Sequence, residues 1–292
     1  MKRGLVLAAA FLVTIGVAVL AGVQIMSAVD RGSTTTSIHS IRVGSLTRTY
    51  EVIAASSLPS SAPILVVLSG AAATTSDEIT RDRLLPYATA GKAELVYPTA
   101  IEESWNAIGC CDGAAKLNID DAGFIKALVP AIDPGRARPI YIVGYSVGGR
   151  LAYRLACTDP TLADGLVAVK ADPMPGCVVT QPMNVLVFSS LDDKYVPYQP
   201  GEKGLETPPA TVQIARLQAD LQCAGATAVK HGTMTLSIWS CAHGKTLRWA
   251  LYPTGGHDFP APDGDTPGAN QLIWSFVART PLAPVPGQAG SG

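Results

Sequence analysis

An α/β architecture, a mostly parallel sheet covered by helices on both faces, is what this sequence predicts. Three observations carry the expectation. Short apolar runs at 64–68, 93–97, 140–143, 165–169 and 184–188, that at 140–143 rich in β-branched residues, read as strands buried on both faces. Helix-forming segments lie between them, and strands that alternate with helices pair in parallel through right-handed crossovers. The third is residues 139–157, where a strand runs into Gly144-Tyr145-Ser146-Val147-Gly148 and then into a helix.

The chain has 292 residues, 48% of them hydrophobic and 15% charged, with net charge −1. That length suits one sizeable domain, or at most two. A near-zero charge without a basic block gives no reason to expect a nucleic-acid partner. Met1-Lys2-Arg3 precedes an uncharged, largely apolar run at 4–28. Basic residues before such a run signal export. The run is also long enough to span a bilayer, so cleavage and membrane anchorage both stay open. The expected layout is a signal peptide or N-terminal anchor at 1–28, a linker at 29–36, an α/β domain at 37–280 and a disordered Pro/Gly-rich tail at 281–292.

Residues 37–43 and 46–53 alternate around Gly44-Ser45 and read as an antiparallel pair at a sheet edge. Helices are expected at 77–90, at 120–132 with Asn118 or Asp120 near the N-cap, at 150–157, at 209–222 and at 269–278. Further strands are expected at 233–239 and 246–252.

Strand, G-x-S-x-G, helix is the context a nucleophile elbow requires, and it points to an α/β-hydrolase fold. The turn is tight, so Gly144 and Gly148 serve by their missing Cβ atoms. Ser146 then stands at a strand end with its hydroxyl exposed. The Val147 N–H, at the helix start, can face a developing oxyanion.

A serine hydroxyl needs a base. Of four histidines, His39 falls in the hairpin, and His231 and His243 lie in polar surroundings. His257 follows the strand at 246–252 in the flexible Gly255-Gly256-His257-Asp258-Phe259-Pro260. Loops at strand C-termini gather the site in open parallel sheets. The orienting acid falls between serine and histidine in chain order. Asp192 and Asp193, after the strand at 184–188, are both placed for it. No metal-ligand spacing, Walker sequence or dinucleotide fingerprint competes, so neither metal nor cofactor is expected.

Residues 61–260 resemble the polyhydroxybutyrate depolymerase-like esterases, which include feruloyl and acetyl-xylan esterases. The resemblance runs through Ser104-Trp105-Asn106-Ala107, Cys110-Cys111, Ile119-Asp120-Asp121-Ala122-Gly123-Phe124-Ile125 and Tyr145-Ser146-Val147-Gly148-Gly149. It continues through 152–157, Val196-Pro197-Tyr198 and residues 255–260. It implies exported, cofactor-free ester hydrolysis, and its spacing to Pro197 assigns the acid to Asp193. It also implies a second oxyanion donor after the strand at 64–68, here the Ala71 N–H. The chain departs from the family in having Ser69 before Gly70, Val147 after the serine and Phe259 after the histidine, in place of His, Asn and Trp. Trp105 and Tyr145 are candidates for an aromatic substrate platform, with core packing as the other reading.

Six cysteines in an exported chain suggest disulfides. Cys223 and Cys241 flank a strand-like excursion and are expected to pair. Cys157 and Cys177 form a plausible second pair, while the partners of Cys110 and Cys111 stay open. The leading functional expectation is a serine esterase acting on a polyester, a feruloyl or acetyl ester of a polysaccharide, or a small ester. An envelope acyltransferase and a non-catalytic binding protein of the same fold are the alternatives.

Overall fold

The computed structural model describes residues 24–31, 34–107, 113–174, 176–201 and 207–282. One mixed sheet of eleven strands runs through them. Its first strands are β1 (Gln24–Arg31), β2 (Thr34–Val43), β3 (Leu46–Ala55), β4 (Ile64–Leu68) and β5 (Glu94–Pro98). Then come β6 (Ile140–Tyr145), β7 (Gly165–Val169), β8 (Asn184–Ser190), β9 (Ala224–His231), β10 (Met234–Ser240) and β11 (Thr246–Tyr252). The spatial order is β1-β2-β3-β5-β4-β6-β7-β8-β11-β10-β9. The central neighbours from β5 to β11 pair in parallel, and the strands on either flank are antiparallel.

Alternation along the central strands sorts two cores onto the two faces. Ile64, Val66, Ile142, Val185 and Val187 face one side and pack with α4 (Asp121–Ile132), α5 (Val147–Thr158) and α6 (Ala210–Asp220). Leu65, Val67, Tyr141, Val143, Leu186 and Phe188 face the other. They meet α2 (Leu85–Thr89) and α7 (Ala269–Ala278). Covered on both faces, β4, β6, β7 and β8 have no exposed position to fill with polar residues, apart from Tyr145 at the rim. That is why they read as continuous apolar runs.

The helices start where local chemistry allows. The Thr74 and Asp77 side chains reciprocally cap α1 (Thr75–Asp82). The Asp120 carboxylate takes the Gly123 N–H at 2.8 Å and starts α4. The single helix expected at 77–90 is instead two. Arg83 turns left-handed at φ 55°, and Pro86 opens α2, since its ring suits only the first turn of a helix.

The hairpin at β2 and β3 is present but is not the sheet edge, because β1 adds outside β2. The segment expected as linker, 29–36, is occupied by the end of β1 and the start of β2. The β-branched Thr34-Thr35-Thr36 extends the strand backwards. Of the expected leader, residues 24–28 belong to β1, and 1–23 lie outside the described residues, as do Cys110, Cys111 and the tail from 283. Among the described residues no helix is long and apolar enough to cross a membrane. Cys157 is bonded to Cys177 and Cys223 to Cys241.

Strand order reverses at β4, which has β5 on one side and β6 on the other. Connections leaving neighbouring strands in opposite directions open a crevice beyond their C-terminal ends. Into this crevice come the segments after β4, β6, β8 and β11, and with them the residues of interest.

Candidate active site

Ser146 sits between β6 and α5 at φ 53° and ψ −120°, a conformation a non-glycine residue adopts only under constraint. The constraint is visible on both sides of it. Its N–H donates to Val169 O at 2.9 Å. A Cβ on Gly144 would stand 2.3 Å from Gly148 O, and one on Gly148 would stand 2.3 Å from Leu68 O. Glycine at both positions is what lets α5 press against β4 and β6 and push the serine outward.

His257 Nε2 lies 2.9 Å from Ser146 Oγ. The ring's Nδ1 lies 3.0 Å from Asp193 Oδ2 and 3.1 Å from Oδ1. Asp193 is buried, and its Oδ1 also accepts the N–H groups of Tyr195 and Val196 at 2.9 and 3.0 Å. Burial alone would push this carboxyl up. The imidazole and the two N–H groups outweigh burial and hold it below the ordinary aspartate range. A carboxylate so held is an ionised acceptor for Nδ1–H, which leaves Nε2 free to take a proton from the serine. The neighbouring Asp192 turns elsewhere and takes the Gly256 N–H at 2.8 Å.

These side chains open onto a cavity of about 500 Å³, lined among others by Ala71, Tyr145, Ser146, Val147, Tyr195 and His257. That volume admits a small organic ligand. Ala71 follows β4, and Val147 is the first residue of α5, so two elements line the cavity beside the serine. Tyr145 is at the wall, with its hydroxyl donating to His257 O at 2.8 Å and its ring 5.8 Å from the imidazole.

Trp105 is elsewhere. It is wholly buried in the core on the α4–α5 face, and its indole N–H donates to Ser69 O at 3.0 Å. The aromatic platform expected from Trp105 and Tyr145 together is therefore corrected: Tyr145 reaches the cavity, while Trp105 braces the backbone just before Ala71. A buried indole must satisfy its N–H, and the β4 loop is where it does so.

Sequence reasoning missed four groups. Tyr195 is exposed, and its ring stands 4.9 Å from the His257 ring at the cavity mouth. Arg150, one helical turn past Ser146, forms a two-pronged ion pair with buried Asp172 at 2.8 and 3.0 Å. Arg81 lies against the Tyr145 ring at 5.1 Å and pairs with Glu78 at 2.7 Å. Lys170 lines the cavity from below, wholly buried. Of these only Arg150 carried a signal, as a charge among the apolar residues of the elbow helix.

No family model matches the chain. In sequence it is 30% identical over 189 residues to the Nocardia uniformis subsp. tsuyamanensis protein named Putative esterase NocK. The match takes in 60% of this chain and 53% of that protein, so the chain spans about half the length of this relative. In structure it is similar to the glucuronoyl esterase from Solibacter usitatus, with a TM-score of 0.57 at 10% identity, over 88% of this chain and 85% of that one. It is also similar to the acetyl xylan esterase from Aspergillus awamori, with a TM-score of 0.55 at 10% identity, over 79% and 94% of the two chains. At such identities the likeness is one of architecture, and it agrees with the central parallel strands and the two helical layers. The chain has the α/β-hydrolase fold.

Proposed function

We propose that this chain is an exported serine esterase that hydrolyses carboxylic esters through an acyl-enzyme on Ser146. The observation that carries the reading is the continuous line from Ser146 Oγ through His257 to buried Asp193, at 2.9 and 3.0 Å, beside a cavity of about 500 Å³. The left-handed backbone at Ser146 supports it, since strain of this kind concentrates at reacting groups. The esterase named among the relatives points the same way.

Ser146 Oγ attacks the ester carbonyl carbon as His257 Nε2 takes its proton. Asp193 keeps the ring in the tautomer with hydrogen on Nδ1 and stabilises the imidazolium that forms. The tetrahedral oxyanion is received by the Val147 and Ala71 N–H groups, each such donor being worth roughly two to three orders of magnitude in rate. Collapse expels the alcohol with the proton from His257. Water, deprotonated by the same nitrogen, then releases the acid and restores the serine. The mechanism needs no metal or cofactor.

Export is supported by the basic and apolar N-terminal sequence and by two disulfides, which persist in oxidising compartments. The finer substrate class is a polyester, or a feruloyl or acetyl ester of a polysaccharide, as the sequence motifs suggest.

The test is labelling by a fluorophosphonate, combined with rates on p-nitrophenyl esters of increasing chain length, methyl ferulate and acetylated xylan. The expected result is a covalent adduct on Ser146, with turnover lost by at least several orders of magnitude in Ser146→Ala. An unlabelled chain that hydrolyses none of these esters would sink the reading and favour a binding role. Ester product formed on an added alcohol in preference to free acid would turn it into an acyltransferase.

A further inference from the structure

Lys170 is the residue after β7, and it carries the left-handed φ of 52° on a side chain only 1% exposed. Burying an ammonium costs free energy unless it is thoroughly hydrogen-bonded. Its partners show where it is bonded. Nζ donates to Ser190 Oγ and, at 2.9 Å, to Gly256 O. Ser190 Oγ in turn donates to Thr254 O at 3.2 Å. Both carbonyls belong to the loop that carries His257.

Gly255 and Gly256 stand at φ 108° and 52°, left-handed backbone that glycine adopts without strain, and the loop's own tie is one turn, Asp258 N–H to Gly255 O at 3.0 Å. Against Thr254, Gly255 and Asp258 lies a second cavity of about 270 Å³, so packing alone does not fix the loop. Four side chains do. Asp192 accepts the Gly256 N–H at 2.8 Å, Lys170 donates to Gly256 O, the Tyr145 hydroxyl donates to His257 O at 2.8 Å, and Ser190 Oγ donates to Thr254 O. Gly256, the residue before the histidine, is thus held at both its N–H and its carbonyl, and Lys170 is the grip between the two cavities.

We propose that Lys170 is a positioning residue for His257. Its charged amine fixes the Gly256–His257 backbone so that Nε2 stays within reach of the serine. The proposal rests on the Ser146–His257–Asp193 reading of the site. Misplacing a base by an ångström costs about a hundredfold in rate, so the grip is of catalytic consequence.

The charge on Lys170 also titrates within reach of experiment. Burial pulls its pKa down to about 8, against the nearby carboxylates of Asp193, Asp192 and Asp258. The Tyr252 ring of β11 faces the amine at 5.9 Å, and Arg81, Arg150 and Asp172 line the same cavity. A neutral amine still donates, but hydrogen bonds from a charged donor are roughly twice as strong. The grip should therefore weaken as pH rises through about 8. Stability moves the opposite way. Between the folded value of about 8 and the ordinary lysine value of 10.5 the unfolded chain holds more protons, so this residue's contribution to stability rises with pH. A merely structural lysine would show the stability trend without the rate trend.

The test compares the full chain with Lys170→Met and Lys170→Arg, reading kcat and KM on one soluble p-nitrophenyl ester from pH 6 to 10, with thermal melts alongside. For the parent, kcat should fall above about pH 8 while the melting temperature does not. Lys170→Met should stay folded and lose roughly ten- to a hundredfold in kcat at pH 7 with KM within about twofold, and should lack the alkaline fall. Lys170→Arg should recover part of the rate and keep it to higher pH, because its guanidinium stays charged. A Lys170→Met variant with parental kcat and the same alkaline fall overturns the proposal. So does loss of rate in both variants in proportion to their melting temperatures. Fluorophosphonate labelling of the parent separates the two readings. If Ser146 is labelled and Lys170→Met is labelled just as fast, the positioning role alone fails. If Ser146 is not labelled in the parent, the triad reading fails and this one with it.

Discussion

Asp192 Oδ1 accepts the Gly256 N–H at 2.8 Å, one residue along from Asp193, whose carboxylate meets His257 Nδ1 at 3.0 Å. Two adjacent aspartates hold one loop, the first by its backbone and the second by its imidazole. Asp193→Asn should leave the fold intact but favour the wrong ring tautomer, a loss of about 10⁴ in kcat in the serine protease case, with little change in KM. Asp192→Asn keeps an amide oxygen facing Gly256 N–H and should cost less than about tenfold. Kinetics of both variants on one soluble ester, with circular dichroism for folding, decide the matter. Equal losses would mean that the division of labour between the two residues is wrong.

Gly148→Ala places a methyl group about where Leu68 O now stands, 2.3 Å away, and that oxygen is backbone in a central strand. Neither side can yield by a rotamer change. The variant should lose roughly 1–3 kcal/mol of stability, as overpacked cores do. Its kcat should fall further than that loss alone explains, because the helix start that carries Val147 must move. Denaturant midpoints beside steady-state rates test this. An unchanged midpoint would mean that the elbow has slack.

Reduction should lower stability in proportion to the loops released. The bonds Cys157–Cys177 and Cys223–Cys241 close separations of 20 and 18 residues. A loop of this size is worth about 3 kcal/mol in the chain-entropy picture. The second bond ties the end of α6 to the turn before β11, the strand that leads to His257. Cys223→Ser with Cys241→Ser should melt well below the parent yet bind the fluorophosphonate on Ser146 at low temperature. A melting temperature equal to the parent's would show the bond to be dispensable.

Asp82 should show the reverse of the usual acid sensitivity. It is wholly buried, and burial raises its carboxyl well above the ordinary range even though it accepts from Leu84 N–H and the Tyr97 hydroxyl, each at 2.8 Å. A folded state that binds the proton more tightly than the unfolded chain loses stability as pH rises between the two pKa values. Asp82→Asn removes that dependence. It should be at least as stable as the parent at pH 7, with the advantage shrinking toward pH 4. Urea midpoints at the two pH values check it, and a large loss at pH 7 would show that the ionised carboxylate is needed.

Much of this arrangement was legible in the sequence because it is local. The strands β7 and β11 and the helix α7 fall where apolar runs and turn residues put them, at Gly165–Val169, Thr246–Tyr252 and Ala269–Ala278. The elbow was readable because two close approaches demand two glycines at fixed spacing. β9 was missed because Ala224–His231 is almost wholly exposed, small and polar, and so carries no apolar alternation. It is a strand only because β10 pairs with it. Trp105 misled for a related reason. An aromatic in a loop looks available, and only the tertiary fold shows its indole turned inward onto Ser69. Lys170 was invisible because Val169-Lys170-Ala171-Asp172 reads as a solvated strand end, and its partners lie 20 and 86 residues away.

The left-handed backbone at Ser146 has one more consequence. At φ 53° any L side chain is held against its preference, at a cost on the order of 1–3 kcal/mol, and glycine is not. Ser146→Gly should therefore melt several degrees above the parent while catalysing nothing. Drift toward greater robustness thus leads directly away from chemistry at this position. A descendant of this chain relieved of its reaction has an easy downhill route to silence, a single substitution that leaves a sturdier molecule.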